Sequence, residues 1–129
     1  MVSDENRYRQ TLATVARRGR SGDDVHLAVR EFLDEYPQRP VELRIAAIED
    51  RPEPCGDLRW DAYLGALGEH LALRADLPVP SWTLDPCRFL AQFWFVSEVP
   101  GFRAISIAQA PVSFKRRGVM VPERSLVRV

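Results

Sequence analysis

A histidine next to a carboxylate is the feature of this sequence closest to acid–base chemistry. Glu69 precedes His70, and Asp61 and Arg74 fall on the same predicted helix. Histidine titrates near neutral pH and often serves as a general base, so a small enzyme that uses His70 and Glu69 is one hypothesis. The interpretation we favour is structural: His70 lies at the edge of the core and its ring has a hydrogen-bond partner.

The sequence lacks the spacings that are typical of metal and cofactor sites. A helical zinc site needs histidines at i and i+4, whereas residue 74 is arginine, residue 66 is alanine, and His26 falls on another predicted helix. Cys55 and Cys87 have no Cys-x-x-Cys spacing, and we expect reduced thiols. Neither a glycine-rich phosphate loop nor a nucleophile elbow occurs. We therefore expect no metal, no cofactor and no enzyme.

The stretch from residue 58 to residue 83 predicts the helix around which the chain folds. Asp57 is a suitable N-cap, because its carboxylate can accept from free N–H groups of the first turn. After Arg74, Pro78 and Pro80 exclude a continuing helix and favour an extended segment leading to Trp82. We expect this segment to fold back onto the helix as core, with a binding groove as the alternative. The buried side of the helix would carry Trp60, Leu64, Leu67 and Leu71.

Three shorter helices are predicted before residue 50. Ser3 could cap the first, whose apolar stripe would be Tyr8, Leu12 and Val15. Ser21 and Asp24 form a capping-box-like pair before the second helix, which Pro37 ends. Pro40 suits the first position of the third. Its buried side would carry Val41, Ile45 and Ile48. A loop at residues 51–57 follows.

Shorter elements are predicted after the central helix. Asp85 and Pro86 form a cap and first-position pair for a short helix that would carry Phe89, Leu90 and Phe93. Residues 102–109 fit a helix or a strand, and we favour the helix; residues 119–121 are predicted to be extended. The expected fold is mainly α, a compact single-domain bundle of about five to seven helices over residues 1–129. Residues 1–50 would hold three N-terminal helices, and residues 58–129 the central helix plus an aromatic-rich, basic C-terminal module.

The composition is typical of a globular protein, and its charge is unevenly distributed. The chain has 129 residues, 46% hydrophobic and 28% charged, with no net charge. Residues 101–129 contain six basic residues and one acidic residue. This asymmetry fits either an anionic partner or a solvated helix end. No uncharged stretch approaches the roughly 20 residues of a membrane span, and no signal-peptide pattern opens the chain, so we expect a cytoplasmic protein without membrane contact.

Aromatic and basic residues in the second half of the chain predict a surface that binds a macromolecule. An interface needs apolar anchors and a charged rim. The candidate anchors are Trp82, Trp94, Phe95 and Phe102, and the candidate rim charges are Lys115, Arg116 and Arg117. The same density of aromatic residues is also typical of a core. DNA is the alternative partner for the basic residues, although no clear helix-turn-helix is present.

Residues 66–129 resemble a known module. The order of the runs EHLALRADLPVPSWT, DPCRFLAQFWFVSEVPGFRA and APVSFKRRGVMV is similar to the C-terminal module of small actinobacterial antitoxin-like proteins, which are encoded beside nucleotidyltransferase-type toxins. The resemblance implies that the protein neutralises a partner enzyme, encoded by the adjacent gene, through protein–protein contact. Members of that group often carry an N-terminal helix-turn-helix, which this chain does not clearly show, and the resemblance transfers no catalytic residues.

Overall fold

The structure, a computed structural model, describes residues 10–126, whose regular structure is nearly all helical. The helices are α1 (Leu12–Arg20), α2 (Val25–Glu35), α3 (Val41–Glu49), α4 (Leu58–Arg74), α5 (Arg103–Gln109) and α6 (Val112–Lys115). Two short strands, β1 (Trp94–Phe95) and β2 (Val119–Met120), pair in parallel. Single 3₁₀ turns occur at Tyr36–Gln38, Ser81–Leu84, Pro86–Arg88, Pro100–Phe102 and Glu123–Leu126. The prediction of a compact, mainly helical fold with short extended segments near the C-terminus is confirmed.

Helix α4 is surrounded by the rest of the chain. Asp57 caps it as predicted, accepting from the Arg59 N–H at 2.8 Å, and the helix ends at Arg74. Every residue from 61 to 70 is buried, including Asp61 and Glu69. The prediction of one buried side was therefore too narrow, because the C-terminal half of the chain covers the side that carries these two acids. No helix within residues 10–126 is long and apolar enough to cross a membrane.

Two glycines on α4 allow the segment after it to pack closely against the helix. A Cβ atom on Gly65 would lie 2.8 Å from the Cβ of Arg88, and one on Gly68 would lie 3.0 Å from the side chains of Trp82 and Thr83. All three neighbouring residues belong to the segment that returns after Pro80. The predicted folding back of this segment is thus present, and it depends on the missing side chains at positions 65 and 68.

The N-terminal helices begin at other caps than those predicted. Thr11 and Thr14 form a capping box at the start of α1, whereas the predicted cap Ser3 and the stripe residue Tyr8 lie outside the described residues. Asp24 alone caps α2, accepting from the His26 N–H at 2.9 Å. Ser21 does not take part, because it continues the helical backbone at the end of α1, where its N–H donates to Arg17.

Helix α3 uses a different buried side from the one predicted. Val41 and Ile45 are exposed, whereas Ala47 and Ile48 are buried. The helix contacts the core through its C-terminal end, where the carbonyl of Ile48 accepts a hydrogen bond from the Trp82 indole at 2.9 Å. Of the three residues that the apolar spacing predicted to be buried, only Ile48 is buried.

The predicted short helix at residues 86–93 is wrong beyond its first turn. Only Pro86–Arg88 is helical, as a 3₁₀ turn. The backbone of residues 90–96 is hydrogen-bonded to a segment distant in the sequence. Leu90 donates to the Arg117 carbonyl, Trp94 to that of Gly118, and Val96 to that of Met120. These bonds replace the local ones that a helix would need. The helix favoured at residues 102–109 and the extended segment at residues 119–121 are present as α5 and β2.

We expect Gly65→Ala to destabilise the protein by about 1–3 kcal/mol. Alanine normally stabilises a helix interior by about 1 kcal/mol relative to glycine. Here the new Cβ would press on the Cβ of Arg88, which cannot move without its backbone. Urea unfolding would measure the change, with Gly101→Ala as a control, since a Cβ at Gly101 meets nothing within 4 Å. A more stable Gly65→Ala protein would contradict the close packing.

Candidate functional site: a candidate protein interface

A buried ion-pair cluster joins the end of α4 to the C-terminal module. The Glu69 carboxylate accepts from Arg117 Nη1 at 2.9 Å and also pairs with Arg116. Arg117 is fully buried and donates to the carbonyls of Ser113 and Thr83, each at 2.8 Å. Its guanidinium lies 4.7 Å from the centre of the Phe89 ring. We call these residues, Glu69, Ser113, Arg116 and Arg117, the Glu69 cluster.

The electrostatics of the Glu69 cluster keep the carboxylate ionised. Burial alone would raise the pKa of Glu69, but hydrogen bonds from Arg117 and Ser113 and the charges of Arg117 and Arg116 outweigh burial, so its pKa lies below the ordinary value. Burial lowers the pKa of Arg117, and Glu69 opposes that shift. Because Glu69 is occupied by two guanidinium groups, it is poorly placed to accept a proton from a substrate.

The structure corrects two of the predicted partner-binding residues. Arg117 has no exposed surface and holds the Glu69 cluster together, so it cannot form part of a charged rim. Trp82 is 2% exposed and its indole N–H is bonded to Ile48. The guanidinium of Arg88 lies 5.0 Å from the centre of the Trp82 rings. Both predicted residues are therefore part of the core in this structure, and for Trp82 this agrees with the core packing that we expected of the segment from Pro78 onward.

Arg88 carries a further buried guanidinium group. The sequence alone did not predict its burial. Its side chain donates to the carbonyls of Asp61 at 3.2 Å and Pro52 at 2.7 Å, and lies 4.0 Å from the Asp61 carboxylate. Asp61 in turn accepts from the Cys55 N–H at 2.8 Å. The signal that could have revealed Arg88 was Gly65, because a glycine inside a helix often marks a close approach.

His70 and Glu69 face different surroundings. The His70 ring lies at the core edge, 5.9 Å from the Phe114 ring, as predicted, but the hydrogen bond expected for it is not present among residues 10–126. It lines a cavity of about 450 Å³ beside the Arg74–Glu123 ion pair, whose atoms are 2.8 Å apart. Burial, aided by the charge of Arg74, lowers the pKa of His70, and Glu123 opposes this. The two adjacent residues therefore do not form an acid–base pair.

The other predicted interface residues keep accessible surface but do not all lie together. Lys115 is exposed, the Arg116 side chain is 44% exposed, and Phe102 is exposed on the turn before α5. Trp94 is half-buried against Trp60, with their rings 5.0 Å apart. Phe95 is also half-buried, with Arg103 5.6 Å from its ring centre. Phe102 lines a separate cavity.

Phe93 is more exposed than any predicted anchor. Phe93 is 70% exposed, and Phe89 is 37% exposed beneath Arg116, whose guanidinium lies 5.7 Å from its ring centre. The segment that carries both phenylalanines runs beside the turn after Lys115, to which it is tied by the Leu90–Arg117 hydrogen bond. We call Phe89, Phe93, Lys115 and Arg116 the aromatic–basic surface. Phe93 was not among the predicted anchors, because its spacing in the sequence predicts a position on a short helix of the core.

No metal site accompanies this surface within the described part of the chain. No three or more His, Cys, Asp or Glu side chains between residues 10 and 126 are grouped so that they could hold an ion. Cys55 is buried and Cys87 exposed, and both are free thiols. Burial, the largest influence, raises the pKa of Cys55 to about 11, so this thiol is protonated at neutral pH and poorly nucleophilic.

Replacing Glu69 by glutamine should destabilise the protein by about 3 kcal/mol, because the fully buried Arg117 would lose its counter-charge. Urea unfolding would measure the loss. The double variant Glu69→Met, Arg117→Met removes both charges and should recover part of it, since apolar side chains of similar size can replace a buried ion pair. If the double variant loses as much stability as Glu69→Met and Arg117→Met lose when their separate effects are added, the ion pair is not the cause.

His70 should make the protein less stable as the pH falls through 6.5. Its pKa is below 6.5 in the folded protein and near 6.5 in the unfolded chain, so the unfolded chain binds the proton first and gains stability. Urea unfolding at pH 7.5 and pH 5.5 would therefore show a smaller loss for His70→Gln than for the wild type. An equal loss in both proteins would exclude His70 as the source.

The chain was compared with known proteins at three levels. No protein-family model matches it, no curated protein matches it, and no solved structure matches it.

Proposed function

We propose that this protein is an antitoxin-like protein that binds and neutralises a partner toxin of the nucleotidyltransferase type through protein–protein contact. The observation that supports binding is the aromatic–basic surface, where the Arg116 guanidinium lies over the Phe89 ring and where Phe93 and Lys115 are exposed on the same two segments. The resemblance of residues 66–129 supports the class of partner. The gene next to the one that encodes this chain is the natural place to look for that partner.

The aromatic–basic surface has the composition of an interface core. Large aromatic side chains and arginine supply most of the binding energy at protein interfaces. Phe93 is 70% exposed in the free chain, so it has a large apolar area to bury. Phe89 is stacked beneath the guanidinium of Arg116 and next to the buried Arg117, which fixes its orientation. A contact surface that is already ordered loses less entropy on binding than a flexible one.

The basic component of the surface favours an acidic region on the partner. Lys115 is exposed and has no ion-pair partner within residues 10–126, whereas Arg116 shares the Glu69 carboxylate. Lys115 is therefore the less neutralised of the two charges. Electrostatic attraction of this kind acts mainly on the association rate and weakens with salt. The basic residues at 101–129 also offer DNA less positive charge than the sequence indicates, because Arg117 is buried and paired with Glu69.

Co-expression and co-purification with the product of the adjacent gene would test the proposal. We expect Phe93→Ala to weaken the complex by about thirtyfold, because it removes an apolar anchor. Lys115→Glu should slow association and make the affinity less dependent on salt. The matched controls are Val41→Ala, which removes an exposed apolar side chain on α3, and Arg17→Glu, which reverses an exposed charge on α1.

Two results would contradict this proposal. If the adjacent gene product is harmless when expressed alone and does not bind the chain, the antitoxin function is wrong. If the complex forms but Phe93→Ala and Lys115→Glu bind as tightly as Val41→Ala and Arg17→Glu, the partner contacts another surface. Neither substitution alters the buried clusters, so a loss of binding by the variants would not reflect unfolding.

A further inference from the structure

A cavity of about 400 Å³ lies between α2, α4, α5 and the turn at residues 121–125. It is separate from the aromatic–basic surface. Its apolar wall is formed by side chains from four parts of the chain: Val29, Leu33, Val96, Phe102 and Val121. This volume lies within the range of cavities that bind small molecules, which are mostly apolar with a few polar groups that fix the ligand.

The charged groups of this cavity are all of one sign. Arg30 on α2 and Arg124 on the 3₁₀ turn at Glu123–Leu126 both line it, and neither forms an ion pair with any residue between 10 and 126. His26 lines the same cavity, and no aspartate or glutamate does. Two guanidinium groups without a carboxylate favour an anionic ligand.

Two hydroxyl groups in the wall supply hydrogen-bond donors beside the guanidinium groups. Tyr63 and Ser106 line the cavity, and no hydrogen bond joins either hydroxyl to a residue between 10 and 126. Burial raises the pKa of Tyr63, so its phenol stays protonated and can donate. Both hydroxyls are therefore available to oxygen atoms of a bound molecule.

We propose that this cavity binds a small phosphate monoester with an apolar body. Arg30 and Arg124 would pair with the phosphate, the hydroxyls of Tyr63 and Ser106 would donate to its oxygens, and the body would lie against Phe102. A phosphate monoester is close to dianionic at neutral pH and presents three terminal oxygens. It therefore matches two cations and several donors better than a carboxylate, which has one charge and two oxygens. The site does not depend on the proposed function.

Phenyl phosphate is a suitable probe, since it combines a dianionic phosphate with an apolar ring. Titration of the full chain, followed by amide chemical shifts, should move the signals of Ser97, Ser106 and Ser125, which line the cavity. The double variant Arg30→Gln, Arg124→Gln should bind at least tenfold more weakly, because each charged hydrogen-bond donor contributes about tenfold. Arg17→Gln, which removes an exposed charge on α1, should bind like the wild type.

Tyr63→Phe separates a ligand-binding role of the hydroxyl from a structural one. Since no residue between 10 and 126 is hydrogen-bonded to the hydroxyl, its removal should leave the unfolding temperature of the free protein unchanged or raise it. The affinity for phenyl phosphate should nevertheless fall several-fold. A structural role would instead lower the unfolding temperature and leave the affinity of the folded protein unchanged.

Comparison ligands decide whether the phosphate is recognised. Benzoate should bind more weakly than phenyl phosphate, and benzyl alcohol should not bind measurably. The proposal is overturned if phenyl phosphate moves no cavity signals up to its solubility limit, if benzyl alcohol binds equally well, or if the double arginine variant binds phenyl phosphate as tightly as Arg17→Gln does.

Discussion

Two buried guanidinium groups hold the irregular C-terminal half of this protein against its central helix. Arg88 donates to the carbonyl of Asp61 on α4 and to that of Pro52. Arg117 donates to the Glu69 carboxylate on α4 and to the carbonyls of Ser113 and Thr83. A planar guanidinium can satisfy several backbone carbonyls at once, which apolar side chains cannot do. The segments around residues 81–95 and 113–120 form little regular structure of their own. Their positions therefore depend on these bonds to a helix that is fixed by its own hydrogen bonds.

The sequence predicted the elements that are determined by residues close together in the chain. The limits of α4, its cap at Asp57 and the non-helical segment at Pro78 and Pro80 follow from spacing, capping and proline, each within a few residues. The buried roles of Arg88 and Arg117 could not be predicted in this way, because charged residues are nearly always exposed unless a distant partner is present. Glu69 is 48 positions from Arg117 in the chain, and no local pattern indicates such a pair.

The candidate interface was only partly predictable for the same reason. The exposure of a side chain depends on the folded structure, and two residues of the same type and close together in the sequence can differ in it. Arg116 and Arg117 are neighbours, yet one reaches the surface and the other fills the core. Phe93 was assigned to a core helix by its spacing, whereas long-range backbone bonds pull that segment into an extended form and leave its ring exposed. The aromatic–basic surface thus results from the pairing of two segments.

The pairing of these two segments also couples the aromatic–basic surface to the core, so that a substitution in one affects the other. Phe89 contacts Arg117 inside the molecule and Arg116 at its edge, so the ring that is offered to a partner rests on the buried ion pair. A change that displaced Arg117 would release Glu69 to Arg116 alone and remove the support under Phe89. Binding through this surface would then weaken although no exposed residue had changed. The buried ion pair would in this way fix the shape of the surface that we propose for partner binding.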